Sequence, residues 1–183
     1  IMRLTNDQTE LPLDEQPYLN NWNAKSLHRQ LARFTHWLEE QSGQPGRYLE
    51  YIVRSGKNAY EIEHLWANHF ERHTDEFAHA QEFSTHRNKV GGLVLLPKKI
   101  NASLNDKAYS DKLEHYQSEN LLARSLHPMC YVHNPGFLKL KTETGLPFKA
   151  FTEFRKANFD ERFSLYKGIA ELLWSADRLK EVA

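Results

Sequence analysis

The sequence predicts a mostly α-helical domain with a small two-stranded ββα unit embedded in it. Three observations lead there. Residues 23–43 and 158–180 carry apolar side chains at helical spacing. Tyr60 and Ile62 alternate with Glu61 and Glu63, which is strand periodicity. Residues 93–96, Leu-Val-Leu-Leu, form a short apolar run between Gly91-Gly92 and Pro97, the pattern of a second, buried strand. A chain of 183 residues has room for one domain with a sizeable core, and its 40% hydrophobic content can fill that core.

Taken in order, residues 1–20 are polar with Pro12 and Pro17 and read as a linker or lead-in. Ile1 precedes Met2, which reads as a chain cut from a longer one, so a partner domain is expected on the N-terminal side. The domain proper runs over 21–183. Its first helix turns Leu27, Leu31, Phe34 and Leu38 to one face and stops at Gly43. Residues 46–56 read as a short helix with Tyr48, Ile52 and Val53 inward. After the first strand, residues 67–86 are polar and histidine-rich, an irregular or partly helical insertion. Gly91-Gly92 permits a tight turn before the second strand. Residues 101–117 read as one helix, capped by Asn101 or Ser103, with Leu104, Tyr109, Leu113 and Tyr116 as its apolar stripe. The ββα core therefore spans about 59–117. A further helix ends before Pro128, and Pro135-Gly136 with Gly145-Leu146-Pro147 mark residues 130–147 as loop-rich. The last helix opens with Asn158 as cap and turns Phe163, Tyr166, Ile169, Ala170, Leu173 and Trp174 inward. Trp22, Trp37, Trp66 and Trp174 are expected in the core or between helices.

Charge and cysteine content narrow the function classes. With 24 basic and 24 acidic residues the chain is neutral, so composition alone gives no support to a nucleic-acid binder. The charge is uneven, however. Arg87, Lys89, Lys98, Lys99, Lys107 and Lys112 face only Asp106 and Asp111 within the same stretch, a local basic segment. The single cysteine, Cys130, excludes an intrachain disulfide and suits a reducing, cytoplasmic setting. No apolar run approaches the roughly 20 residues that span a bilayer, and the N-terminus lacks the basic start and apolar stretch of a signal peptide, so no membrane partner is expected.

Polar residues stand at defined places on the ββα unit. Glu63-His64 close the first strand, Asn88 precedes the second, and Asn101 or Asn105 opens the helix. A single-metal nuclease needs this arrangement. A carboxylate and a side-chain amide oxygen are hard ligands for Mg²⁺ or Mn²⁺. A neutral imidazole beside the metal takes a proton from water, while a backbone or Asn carbonyl holds its other nitrogen.

The segments "YEIEHL" and "RNKVGGLVLLPKKINASLNDKAYSDKLEHY" resemble the signature of HNH (His-Me finger) endonucleases. More narrowly, they are similar to the C-terminal nuclease domain of GmrSD-type modification-dependent restriction enzymes and of phosphorothioate-sensing Ssp-type defence proteins. The closing "DERFSLYKGIAELLW" is similar to that family's C-terminal helix, so the resemblance covers residues 48–174. It implies a ββα-metal (HNH) finger in which His64 is the general base, Glu63 the acidic metal ligand and Asn88 the residue that orients the base. Asn101 matches the metal-binding Asn, with Asn105 as the other occupant of that role. Lys107 and Lys112 would face phosphates, and Arg87, Lys89, Lys98 and Lys99 would add DNA contacts. The implied activity is metal-dependent nicking of DNA by direct water attack, as the effector of an anti-phage restriction system. An NTPase/sensor domain would precede it in the full-length chain. The sequence departs from the family in two places. It has "LWAN" where a Pro usually follows the His, and Gly91-Gly92-Leu93 where Gly-Asn-Leu is usual.

Two other readings use the same residues: a catalytically silent DNA-binding or docking module, and an RNA-directed HNH nuclease. His69 and His73 have helical zinc-ligand spacing, but no cysteine cluster completes a structural site, so a solvated histidine-rich loop is expected there.

Overall fold

The computed structural model describes residues 16–174. In chain order its elements are α1 (Ala24–Gln41), α2 (Tyr48–Tyr51), β1 (Tyr60–His64), a 3-10 turn (Phe70–Arg72) and α3 (Ala80–Arg87). A second 3-10 turn (Val90–Gly92) leads into β2 (Leu93–Pro97), followed by α4 (Lys98–Leu104), α5 (Tyr109–Tyr116), α6 (Leu121–Arg124), a 3-10 turn (Pro128–Tyr131), α7 (Pro135–Thr144) and α8 (Asn158–Leu173). The domain is mostly helical around one small antiparallel sheet.

In that sheet Tyr60 pairs with Pro97, Ile62 with Leu95 and His64 with Leu93. Side chains alternate along a strand, so Tyr60, Ile62 and His64 share a face with Leu93 and Leu95. Glu61 and Glu63 share the other face with Val94 and Leu96. Each face has its own apolar cluster. Leu93 and Leu95 join Leu31, Phe34 and Trp37 of α1, Phe137 of α7 and Tyr166 and Ile169 of α8. Val94 and Leu96 join Trp66, Phe83, Leu104, Tyr116, Phe154 and Phe159. A strand covered on both faces needs an unbroken apolar run, which is why residues 93–96 do not alternate.

Helix α1 ends as expected, with Gly43 in the left-handed region at φ +75°. Tyr48 and Ile52 pack against the core, but Val53 is exposed. The insertion is partly helical, and its histidines are not all solvated. The His73 ring centroid lies 4.1 Å from that of Trp66, and His86 is buried with its ring 4.6 Å from Phe159.

The predicted helix over 101–117 is two helices, broken at 105–108. The first starts directly after Pro97, so Asn101 lies inside it and neither Asn101 nor Ser103 caps it. Their side chains are drawn elsewhere, the Asn101 amide to Glu61 and the Ser103 hydroxyl to the carbonyl of Ile100. Residues 130–147 contain α7 rather than loop alone. Pro135 occupies its first position, where no N–H is needed, and Gly145 takes φ +65° just past its end. Asn158 does not cap α8 through its side chain; its Oδ1 accepts from the Arg155 N–H at 2.7 Å. Trp37 and Trp66 are buried, but Trp22 is 97% exposed. Residues 175–180 of the expected last helix, and 1–15 of the lead-in, lie outside the described residues. The described end of the lead-in is strapped to the domain: Leu19 N–H donates to the Asn88 carbonyl at 2.7 Å, and Val90 N–H to that of Pro17 at 2.9 Å. No helix among the described residues is long and apolar enough to cross a membrane.

Candidate active site

His64 ends β1, and Asn88 directly follows α3. The fold brings them together: His64 Nε2 lies 2.9 Å from Asn88 Oδ1. Asn88 Nδ2 donates to the Ser84 carbonyl at 2.9 Å, which turns the amide oxygen towards the ring. An amide oxygen only accepts, so Nε2 carries the hydrogen and Nδ1 keeps its lone pair. Burial pushes the His64 imidazole down to about 4, with the nearby Arg87 and Lys112 cations adding to the shift and the Asn88 bond opposing it. The ring is therefore neutral across the physiological range.

Glu63 faces the opposite way and is 4% exposed. Its Oε1 accepts from Lys112 Nζ at 2.6 Å and from the Tyr116 hydroxyl at 3.2 Å, while Oε2 takes no hydrogen bond from the described residues. Lys112, expected to face phosphates, is 1% exposed and donates also to the His64 carbonyl at 2.8 Å. It cannot reach DNA from there. It ties α5 to the end of β1. Burial pushes the Glu63 carboxyl up and the Lys112 ammonium down, and their mutual contact opposes both shifts.

Asn101 meets a different carboxylate. Its Nδ2 donates to Glu61 Oε2 at 3.0 Å, and Lys98 Nζ stands 3.8 Å from Glu61 Oε1. Sequence reasoning passed over Glu61 as a strand polar, although a signal was present. Residues two apart on a strand share a face, so Glu61 lies with Glu63 on the side that α4 and α5 cover. Asn105, by contrast, is exposed at the end of α4 and makes no hydrogen bond through its side chain with the described residues. Glu61 and Asn101, in contact with each other, offer a carboxylate and an amide oxygen, donors of the kind that suit a small hard cation, while Glu63 is buried against Lys112. No group of three His, Cys, Asp or Glu side chains gathers to hold a metal among the described residues.

The remaining predicted cations are scattered. Arg87 sits beside His64 and spends its Nε on the Trp66 carbonyl at 2.8 Å. Lys89 pairs with Asp160 at 3.4 Å on the surface. Lys98 and Lys99 are exposed at the start of α4, and exposed Lys107 lies 3.1 Å from His115 Nε2. His69 pairs with Glu71 at 2.5 Å while His73 stacks on Trp66, so the zinc-like spacing brings no shared site.

A family model for the C-terminal domain of GmrSD restriction endonucleases matches residues 9–144, about three quarters of the chain. The chain belongs to that family. No curated protein and no solved structure matches it. Membership makes this a nuclease domain of the restriction-endonuclease type. The GmrSD match contains His64, Asn88, Glu61, Glu63 and Asn101, but α8 lies beyond it. Helix α8 nevertheless accounts for the Gly-Gly departure. A Cβ on Gly92 would sit 2.1 Å from the Phe159 ring, and one on Gly91 2.0 Å from the Phe159 carbonyl oxygen. Phe159 fills the space that a side chain at Gly92 would need. Arg162, 1% exposed, donates to the Gly91 carbonyl at 3.0 Å, and the Tyr166 hydroxyl to that of Leu93 at 2.6 Å. Leu93 is the strand partner of His64, so α8 braces the site from behind.

Proposed function

We propose that this domain is a metal-dependent DNA endonuclease of the ββα-metal (HNH) type, which nicks DNA as the effector of an anti-phage, modification-dependent restriction system. The observation that carries the reading is the His64–Asn88 pair, a neutral imidazole with Nε2–H held and Nδ1 left as the base. His64 Nδ1 takes the proton of the attacking water. Arg87, beside the ring, holds the scissile phosphate with guanidinium nitrogens that the Trp66 carbonyl does not use. Glu61, Asn101 and the unbonded Oε2 of Glu63 would hold Mg²⁺ or Mn²⁺. Bound there, the cation supplies neutralisation of phosphate charge and of the departing oxygen. One base serves one strand, so the domain nicks. Exposed Lys98, Lys99 and Lys107 add backbone contacts with no sequence information. Recognition of modified DNA falls to an NTPase/sensor domain elsewhere in the full-length chain.

A supercoiled-plasmid assay with Mg²⁺ or Mn²⁺ tests this. Metal-dependent conversion to open circle, lost in His64→Ala, is expected. Equal conversion by the variant removes His64 from the chemistry, and no conversion with either metal removes the nuclease reading from the isolated chain.

A further inference from the structure

A groove of about 530 Å³ opens beside the proposed active site, within the range of roughly 300–1,000 Å³ that small-ligand sites occupy. Leu19, Asn21, Arg54, Glu61, Ile62 and Asn88 are among its lining residues. Two of these belong to the site: Asn88 holds His64, and Glu61 holds Asn101. Arg54 is exposed and makes no hydrogen bond or ion pair with the described residues. A lone guanidinium at the mouth of a groove that leads to a phosphodiesterase centre is an anion contact waiting for its partner.

The turn that forms one wall carries Trp22. At 97% exposed, it is the most exposed of the large apolar side chains among the described residues, an indole whose face is open to a stacking partner. Its backbone is held firmly. Asn20 Oδ1 accepts from the N–H groups of Trp22 and Asn23 at 2.9 and 3.0 Å, and Asn23 Oδ1 accepts from Asn20 N–H at 2.9 Å. The same segment is strapped to Asn88 through Leu19, and Tyr18, half-exposed, bridges to Lys89. The backbone that carries the indole is therefore tied to Asn88, the neighbour of His64. Exposed aromatics beside unpaired cations are the means by which proteins hold unstacked bases on an anionic backbone.

We propose that Trp22 and Arg54 form a nucleotide platform: Trp22 stacks on an unpaired base of the strand being cut, and Arg54 takes the adjoining phosphate, next to the scissile bond. This rests on the nuclease reading for its location but not for its test. The base must leave the duplex stack to reach the indole, which is least costly where the strand is already single or mismatched. The platform thus favours DNA that is locally open at the cut.

The test titrates a short fluorescein-labelled single strand, and its duplex, with the His64→Ala chain so that the strand stays intact, and follows anisotropy. A fully exposed side chain can be removed without unfolding the domain. Trp22→Ala is expected to weaken single-strand binding about tenfold or more, Trp22→Phe to retain most of it, and the duplex to change less. Arg54→Ala is expected to reduce the slope of log K against log salt by about one. Unchanged single-strand affinity in Trp22→Ala overturns the platform, as does failure of the parent chain to bind the oligonucleotide. A chain that nicks plasmid but binds independently of Trp22 keeps its His64 chemistry and loses the platform. A chain that binds through Trp22 yet does not nick keeps the platform and loses the nuclease reading.

Discussion

Lys112 Nζ lies 2.6 Å from Glu63 Oε1 and donates also to the His64 carbonyl, so one buried ammonium fixes two consecutive residues whose side chains face opposite ways. Removing one partner of a buried ion pair leaves the other charge uncompensated. Lys112→Ala is therefore expected to destabilise the fold by about 3–5 kcal/mol, read as a lower urea midpoint. Combining Lys112→Met with Glu63→Leu should recover most of that loss, because the paired burial itself gains little over apolar packing. Equal stability of Lys112→Ala and the parent would mean that the pair is open in solution.

Asn88→Ala removes the acceptor that keeps hydrogen on His64 Nε2. Both tautomers then populate, and the ring turns freely. The nicking rate at saturating DNA should fall by about tenfold to a hundredfold, within the span of general-base catalysis, with little change in KM. Asn88→Asp should instead raise the acid limb of the pH–rate profile, since a carboxylate beside the ring favours its charged form. A rise in KM alone would make Asn88 a DNA contact.

The low-lying His64 titration has a definite sign. Folded, the ring is held at about 4; unfolded, it returns to about 6.5. Between those values the unfolded chain binds more protons, so stability rises with pH across that window and is lost as pH falls through it. The His64 contribution is about 3 kcal/mol, and burial pushes His28, His73 and His86 in the same direction. Denaturant midpoints measured from neutral pH down to about pH 4 should fall, and fall less steeply in His64→Ala. The acid limb of nicking should likewise lie below that of an ordinary histidine.

Gly92→Asn restores the residue usual in the family but drives a side chain into the Phe159 ring. It should cost about 1–3 kcal/mol alone. Phe159→Ala opens the space, so the two changes together should cost less than the sum of the singles in a double-mutant cycle. Additive costs would show that α8 and the Gly91-Gly92 turn do not share that space in solution.

Metal titration of nicking separates the carboxylates. Glu61→Gln should raise the Mn²⁺ concentration for half-maximal rate by about tenfold or more while leaving stability near that of the parent. Glu63→Gln should lower stability as well, because it uncouples Lys112. Asn105→Ala should change neither.

Much of the fold was legible in the chain because its signals are local. The stripe of Leu27, Leu31, Phe34 and Leu38, the alternation at 60–63 and the apolar run at 93–96 each report a period that backbone geometry imposes. Helix α7 was misread because Pro135-Gly136 and Gly145 mark loops as readily as they mark the two ends of a helix. The break at 105–108 was missed because Tyr109, Leu113 and Tyr116 continue the stripe of Leu104 across it.

In the site, His64 and Asn88 were singled out by their places at the strand ends and by the family resemblance, and the fold brings them to 2.9 Å. Which way each carboxylate points could not be read from the chain, because pairing depends on residues 40 and 49 positions away. A lysine in a basic segment reads as a phosphate contact until burial is known, and Lys112 is buried.

The sequence by itself determined a mostly helical domain, a two-strand unit and the family, and it singled out His64 and Asn88 as polar residues at the ends of that unit. Those depend on residue type and short-range periodicity. Only the tertiary structure decided that Lys112 serves Glu63 and not DNA, that Asn101 meets Glu61, that Phe159 of α8 occupies the space beside Gly92, and that Trp22 stands in water. These are outcomes of packing between distant segments, where burial and unsatisfied hydrogen-bonding groups select one arrangement among many that the local patterns allow.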